Sequence, residues 1–241
     1  MEWRDEGIIL GTRRHGETSV IAEIFTREHG RHMGLVRGGR SRRLQPVLQP
    51  GNSLSVVWRA RLDEHLGTWA IEPLDARAAS LLEARHRLYA FQTLACHLRL
   101  FPERDPHPDI HRQIGRFLES LAGGPEEVAA LLARLELTLL ADLGHGLDLS
   151  ECAGGGPSDD LAFVSPKSGR AVSRQAGAPY SERMLPLPAF LLGRSMFSGD
   201  DIVDAARLTG HFLNRDLYAP RGLSMAPERD RLFALISRVG N

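Results

Sequence analysis

A run of arginines between residues 27 and 43 has the chemistry to hold a chain of phosphate groups. Six arginines stand against one acidic residue, Glu28, so these 17 residues carry six positive charges minus one, or +5. Gly38 and Gly39 allow backbone amides to approach a phosphate, and Ser41 adds a hydroxyl donor. We predict a clamp on nucleic-acid phosphates; a solvated basic loop is the alternative. The predicted contacts are Arg31, Arg37, Arg40, Ser41, Arg42 and Arg43.

Another arginine, Arg134, lies beside the apolar side of a predicted helix. Leu131, Leu135 and Leu139 recur along that side at helical spacing. An arginine at the rim of an apolar groove can bind a carboxylate while the groove accepts side chains. The alternative interpretation is an ordinary exposed arginine on a helix surface.

Patterns of catalytic, cofactor and metal sites are absent from the sequence. Lys167 is the one lysine and no glycine precedes it directly, so the phosphate-binding loop of nucleotidases is excluded. The Gly-x-Ser-x-Gly motif of hydrolases does not occur. Cys96 and Cys152 form no C-x-x-C pair. We therefore predict a protein that is not an enzyme, with no catalytic residues, cofactor or metal.

The overall charge is balanced, with 30 Lys and Arg against 30 Asp and Glu. The +5 of the basic run is thus offset by −5 in the remaining residues. This balance excludes a polycation that binds nucleic acid with its whole surface, but it allows a local patch. The sequence has no apolar run of about 18 residues and no secretory signal, so we expect a cytosolic protein without a membrane segment.

The first 75 or so residues have the pattern of short β-strands separated by turns. The apolar and β-branched runs are 7–10, 18–26, 30–36, 54–58 and 68–71. Five such strands predict a small closed or half-closed barrel, a context that favours the clamp because small barrels often bind single strands. Trp58 or Trp69 could stack a base, although core burial is the stronger interpretation, as it is for Phe25.

From residue 77 onward the apolar residues recur at helical spacing. Helices are predicted at 77–100, 110–121, 125–143, 189–197 and 200–218, and a shorter amphipathic stretch lies around 232–236. Ser198 is the expected N-cap of the helix that comes directly after it. A Gly-, Pro- and Ser-rich insertion at about 147–183 contains two runs, 161–164 and 171–173, that could pair as a hairpin. The chain is thus predicted as two domains, a β domain over 1–76 and a helical domain over 77–241.

Several of these residues resemble the bacterial recombination and repair protein RecO family. Its N-terminal domain is resembled by Gly16-Glu17-Thr18-Ser19, Phe25-Thr26, Gly30, Val36-Arg37-Gly38-Gly39-Arg40-Ser41-Arg42 and Leu48-Gln49-Pro50-Gly51. Its helical domain is resembled by Arg134-Leu135-Glu136-Leu137-Thr138-Leu139-Leu140, Leu143-Gly144, Leu147-Asp148-Leu149 and Cys152-Ala153-Gly154. The resemblance implies an α+β fold, a five-stranded OB-fold β-barrel followed by an α-helical domain with a small zinc-ribbon-like insertion.

The resemblance also implies a function and partners. Such proteins are non-enzymatic recombination mediators in DNA repair, which bind single- and double-stranded DNA, anneal complementary strands and help load recombinase onto strands coated by single-stranded-DNA-binding protein. Their partners are RecR and the acidic C-terminal tail of that coating protein, for which Arg134 becomes the candidate site. They act in the cytoplasm at the nucleoid.

One departure concerns the insertion. Several members of the family carry four cysteines there, whereas this chain has Cys152 alone, so we expect no zinc. Two other functions stay open: an OB-fold RNA-binding factor, and a protein adaptor that acts through its helical domain.

Overall fold

Strands occupy most of the first 75 residues, and helices predominate in the rest of the chain. A computed structural model describes residues 1–193 and 196–237. The strands are β1 Glu2–His15, β2 Ser19–Thr26, β3 Gly30–Val36, β4 Ser53–Arg59, β5 Thr68–Asp75, β6 Leu161–Val164, β7 Ala171–Ser173 and β8 Leu185–Pro186. The helices are α1 Ala78–Leu82, α2 Arg85–Leu98, α3 Pro108–Ser120, α4 Pro125–Asp142, α5 Arg174–Gly177, α6 Gly199–Phe212 and α7 Pro227–Ser237.

The chain separates into two compact units, Met1–Leu118 and Glu119–Asn241. A five-stranded N-terminal sheet followed by a helical part is thereby confirmed. The first unit contains the sheet together with α1, α2 and most of α3. The predicted domain boundary at 76/77 marks the change from strand to helix, whereas the division at 118/119 separates two compact units.

The sheet of the first unit is a closed barrel with the strand order β1-β2-β3-β5-β4. Strand β1 pairs with both β2 and β4, and its register shifts between Ile9 and Gly11. Such a bulge increases the local twist and bends the strand, which allows β1 to pair with β4 along its first half and with β2 along its second half. Strands β3 and β5 run parallel, joined by the pair Leu35 and Thr68.

The barrel interior is filled by alternate residues of the strands, as expected for a period of two. The buried cluster is Ile9, Val20, Ala22, Ile24, Val36, Leu48, Leu54, Val56, Trp58 and Trp69. Trp58 is fully buried and Trp69 is 5% exposed, and their indole nitrogens donate to the carbonyls of Leu66 and Ala22. The interpretation of both tryptophans as core residues is therefore confirmed, and neither can stack a base.

The helices agree with the sequence pattern in most places. The helix predicted over 77–100 is instead two helices, because Ala84 adopts an extended backbone between α1 and α2. Helix α4 begins at Pro125 as expected, and Gly144 lies just beyond its end with a φ of +83°. Ser198 caps α6: its hydroxyl accepts from the Asp201 amide at 3.2 Å, while the Asp201 carboxylate accepts from the Ser198 amide at 2.8 Å.

The expectations for the insertion and for the segment after it have different outcomes. Strands β6 and β7 pair as the predicted hairpin, and β8 adds a third strand beside β6. The helix predicted over 189–197 is wrong, since only Ala189–Leu192 forms a short 3-10 helix, and residues 196 and 197 are not helical. Gly193 ends that helix with a φ of +89°, and residues 194–195 lie outside the described part of the chain.

The second unit contains a buried ion pair that joins three helices. The Glu136 carboxylate on α4 accepts from Nε of Arg229 on α7 at 2.7 Å, and neither side chain is more than 5% exposed. Thr209 on α6 lies in the same network, with its hydroxyl 2.5 Å from Glu136 and 2.8 Å from Arg229. Because both charges are paired and hydrogen-bonded to each other, the cost of burying them is offset.

Candidate nucleic-acid interface

The segment Arg37–Arg43, which we name the arginine loop, comes after β3 at one end of the barrel. Gly38 adopts a φ of +65°, a left-handed conformation that glycine reaches without strain. Gly39 lies against the barrel, since a Cβ there would stand 2.6 Å from Cγ2 of Val20. The Ser41 amide donates to the Gly38 carbonyl at 2.9 Å, which closes a turn. The loop thus has a defined backbone conformation that packs against the barrel.

Apolar residues after the loop attach it to the barrel. Leu48 is buried in the core cluster, and Leu44 and Val47 pack against that cluster. The side-chain amide of Asn52 donates to the carbonyls of Pro46 and Val47 at 2.9 and 3.0 Å. The loop is therefore anchored by its C-terminal side while its arginines point away from the core.

A second anchor joins the arginine loop to the turn between β1 and β2. The Arg40 amide donates to the Thr18 carbonyl at 3.0 Å, and the Arg40 guanidinium donates to the Glu17 carbonyl. In addition, the side-chain amide of Gln45 donates to the Arg40 carbonyl at 3.2 Å. Two neighbouring loops of the barrel consequently form one surface.

The charges of the loop are exposed and uncompensated. The exposed residues are Arg37, Arg40, Ser41, Arg42 and Arg43. Within the described residues, no ion pair joins any of these four arginines to a carboxylate. Since arginine keeps its charge at any physiological pH and binds phosphate through a planar fork, the surface suits a polyanion.

Two further exposed arginines lie near this basic surface, on opposite faces of β1, and the sequence prediction missed both. Arg13 and Arg14 are exposed near the end of β1, and Arg14 pairs with Val20, which in turn pairs with Val36. Since adjacent strands lie about 4.8 Å apart, Arg14 stands about 10 Å from the end of β3 where the arginine loop begins. The sequence predicts that the first strand ends at residue 10. The one signal for further basic surface was the pair of arginines shortly before the turn at Gly16.

The prediction that Arg31 contacts phosphate needs a correction, because its guanidinium is already paired with carboxylates of the protein. Its guanidinium lies 2.9 Å from the Glu23 carboxylate and 3.5 Å from that of Glu103, and Nε donates to the Phe101 carbonyl. The Arg31 side chain is only 14% exposed. The structure therefore places it among the contacts that attach the segment after α2 to the barrel, and not on the arginine loop.

Arg134 is more constrained than an ordinary exposed helix arginine. Its Nε and one terminal nitrogen donate to the Phe190 carbonyl at 3.1 and 2.9 Å, and the guanidinium carbon lies 5.5 Å from the centre of the Phe190 ring. Leu131 and Thr138 lie one turn to either side of it on α4, and both are half-buried. The arrangement holds a cation beside partly apolar surface.

The lone cysteine of the insertion accepts hydrogen bonds from the backbone. The Ser173 amide donates to Sγ of Cys152 at 3.1 Å. Hydrogen bonds from Ser173, with weaker ones from Gly154 and Gly156, lower the pKa of Cys152 to about 7. In the part of the chain that the structure describes, no three His, Cys, Asp or Glu side chains are grouped so as to hold a metal ion.

No helix within 1–193 or 196–237 is both long and apolar enough to cross a membrane.

Comparison with known proteins gives similarity over nearly the whole chain. The family described as "Recombination protein O N terminal" matches residues 1–76, and "Recombination protein O C terminal" matches residues 87–224. A DNA repair protein RecO of Sinorhizobium medicae is 56% identical over 231 residues, 95% of this chain and 92% of the relative. The same named protein of Methylocella silvestris is 54% identical over 241 residues, 99% of this chain and 97% of the relative. That of Brucella abortus is 52% identical over 243 residues, 100% and 98% of the two chains.

Proposed function

The chain belongs to the recombination protein O family, and we propose that it is a mediator of DNA repair and recombination that acts by binding DNA and not by catalysis. Its relatives' shared name, DNA repair protein RecO, supports the role in repair and recombination. The closed five-stranded barrel supports assignment of the first unit to the OB-fold class, many of whose members bind oligonucleotides.

The observation that carries the proposal is the set of exposed arginines at one end of the barrel. Phosphates of a DNA strand would lie along the arginine loop and the neighbouring Arg13 and Arg14. Contacts to phosphate fix a strand in place without reading its sequence. The proposed binding is therefore largely independent of sequence and strongly weakened by salt.

Phosphate binding of this kind gives a physical route to annealing. Two complementary strands repel each other because both are polyanions. A basic surface that neutralises phosphates lowers this repulsion, while the base edges stay available for pairing. We propose that the arginine loop promotes annealing, and that recombinase loading onto coated strands depends on the same surface.

The proposed protein partners are RecR and the acidic C-terminal tail of single-stranded-DNA-binding protein. Arg134 supports the second assignment, since a guanidinium oriented by Phe190 and flanked by Leu131 suits a carboxylate with apolar neighbours. In the zinc-ribbon-like insertion, backbone hydrogen bonds and packing would stabilise the hairpin in place of a zinc ion held by four cysteines. The proposed location is the cytoplasm, at the nucleoid.

Annealing of complementary fluorescent strands, with and without single-stranded-DNA-binding protein, tests the proposal. The wild-type chain should accelerate annealing under both conditions. A variant with Arg37, Arg40, Arg42 and Arg43 changed to Ala should lose that acceleration while remaining folded. No acceleration by the wild type would reject the annealing mediator. In a separate competition between DNA and RNA oligomers of one sequence, a strong preference for RNA would favour the RNA-binding factor instead.

A further inference from the structure

A groove of the second unit is lined by strands β6 and β8 of the insertion and by the start of α6. Its volume is about 290 Å³. The apolar residues of its lining that keep some exposure are Ala162, Phe163, Pro186 and Ala189. Small-molecule sites have volumes of roughly 300–1,000 Å³, so the groove has room for one or two side chains of another chain and not for a whole helix.

Carboxylates surround this apolar surface, which we name the acidic groove. Asp159 and Asp160 come directly before β6, and Asp201 and Asp204 lie on the first two turns of α6. Among the described residues that line the groove, Arg174 alone is basic, so four carboxylates against one guanidinium leave a formal charge of −3. The Arg174 side chain lies 3.4 Å from Asp160, but it is 71% exposed, and so exposed an ion pair contributes little.

The carboxylates on α6 stand close enough to affect one another. Partial burial raises the pKa of Asp204, and the charges of Asp201 and Asp200 raise it further, against the opposing effect of Arg207. Asp201 is held in place, because its carboxylate accepts from the Ser198 amide at 2.8 Å. A guanidinium bound in the groove would relieve this repulsion, since a nearby positive charge favours the ionised carboxylate.

The arginine loop has the matching chemistry. Its four arginines are exposed and form no ion pair within the described residues. A guanidinium binds a carboxylate through paired hydrogen bonds, while the methylene groups of the same side chain pack on apolar surface. The whole chain has no net charge, so two copies approach each other without overall repulsion. Because every copy carries both surfaces, the loop and the groove are always present in equal amounts.

We propose that the acidic groove of one copy binds the arginine loop of a second copy, and that DNA competes with the groove for that loop. The inference rests on the arginine loop of the proposed function and adds a regulatory contact to it. Guanidinium groups docked in a groove are not available to phosphates, so self-association and DNA binding oppose each other. A contact between two different surfaces builds rings or chains of copies, unless two copies dock reciprocally.

Sedimentation velocity of the full chain over a range of concentrations measures the self-association. The groove variant changes Asp159, Asp160 and Asp204 to Asn, which removes three charges and nearly keeps the size of the side chains. Asp201 is left unchanged because it caps α6. Asp160→Arg, at an exposed position, serves as a second variant should the triple change impair folding. The control variant alters the net charge equally at three exposed carboxylates elsewhere, which become Gln: Glu64, Glu72 and Glu119.

We expect the wild-type chain to self-associate at about 10 mM salt and to be largely monomeric at about 150 mM, because the screening length falls from about 30 Å to about 8 Å. The groove variant, and the variant with the four loop arginines changed to Ala, should each associate about tenfold or more weakly, whereas the control stays within about twofold of wild type. A wild-type chain that stays monomeric at low salt, or an equal loss in the groove and control variants, would overturn the contact. Association that the groove variant loses but the loop variant keeps would overturn the loop as the occupant.

A second measurement adds oligothymidine of about 10 nucleotides, close to the site size of one barrel, to the wild-type chain at low salt. The oligomer should dissociate the copies as it occupies the arginine loop, and the dilute groove variant should bind it with wild-type affinity. An oligomer that binds and leaves self-association unchanged would overturn the competition. A chain that self-associates yet binds no DNA would reject the proposed function and leave the contact between copies standing.

Discussion

The amide of Arg40 donates a hydrogen bond to the carbonyl of Thr18 at 3.0 Å, which joins the arginine loop to the turn between β1 and β2. Through this bond the loop is held at one end of the barrel before any ligand arrives. Ordering a loop on binding would cost free energy, so a surface already in place binds more tightly for the same contacts. The basic surface is thus a preorganised part of the barrel.

We expect Arg31→Ala to lower stability without changing the salt dependence of DNA binding. The substitution leaves the largely buried Glu23 carboxylate without the 2.9 Å contact from Arg31. Loss of such charged hydrogen bonds costs about 1.5–3 kcal/mol, which denaturant unfolding measures. Arg42→Ala is the matched control: it should leave stability within about 0.5 kcal/mol but reduce the salt slope by about one. A reduced salt slope in Arg31→Ala would return Arg31 to the clamp.

We expect His32 to make the protein less stable in acid. Burial lowers the pKa of His32 to about 4, and its ring packs 4.7 Å from that of Trp58. The unfolded chain takes up a proton near the ordinary pKa of about 6.5, whereas the folded chain does not until about 4. Stability is therefore fully present above pH ~6.5 and falls by up to about 3 kcal/mol as the pH drops towards 4.

Unfolding measured across that pH range in wild type and His32→Gln checks this expectation. The variant starts from its own stability at neutral pH, so only the slopes are compared. The slope of the variant should be shallower. Parallel slopes would show that the wild-type acid sensitivity has another source.

The buried pair Glu136 and Arg229 should be strongly sensitive to removal of one partner. Arg229→Ala leaves the Glu136 carboxylate, which is fully buried, without its ion pair. Breaking a buried pair in this way costs about 3–5 kcal/mol. The double variant Glu136→Leu with Arg229→Met leaves no buried charge, so it should be less destabilised in denaturant unfolding than Arg229→Ala alone. A loss below about 1 kcal/mol in Arg229→Ala would contradict the role given to the pair.

Arg134→Ala should weaken binding of an acidic tail peptide with a free C-terminal carboxylate by about tenfold or more, equivalent to about 1.4 kcal/mol. Fluorescence anisotropy with a labelled peptide measures the affinity, and unfolding confirms that the variant is folded. Arg207→Ala, at an exposed position on α6, is the control and should bind normally. DNA binding should be retained in both variants. Normal peptide affinity in folded Arg134→Ala would remove this residue from the proposed partner site.

The arginine loop could be located from sequence because its signals are local. Charged residues interrupted by Gly38 and Gly39 indicate an exposed turn wherever the rest of the chain lies. The sequence does not place Arg13 and Arg14 on a strand, because Gly11–His15 lacks the apolar alternation that predicts one. These residues form a strand because they pair with β2, and that pairing is not visible in their own pattern. Local pattern likewise does not show that Arg31 faces carboxylates from β2 and from the segment after α2.

The helical part shows the same division between local and distant information. Helix α4 was predicted closely, since Pro125 favours a helix start and Gly144 a helix end. The apolar run after Ala189 has helical spacing, yet Gly193 takes a positive φ and ends the turn after four residues. The hydrogen bonds from Arg134 to Phe190 join positions 56 residues apart, which spacing within a helix cannot reveal.

The most direct test of the central claim is the salt dependence of DNA binding by the wild-type chain and by a variant with the four loop arginines changed to alanine. Four phosphate contacts give log K a slope against log salt of about −3 to −4. We expect the variant to bind more weakly and to lose most of that slope. A control variant changes four exposed arginines elsewhere, Arg85, Arg116, Arg183 and Arg207. It should keep the wild-type slope, whereas a wild-type slope in the folded loop variant would contradict the arginine loop as the DNA-binding site.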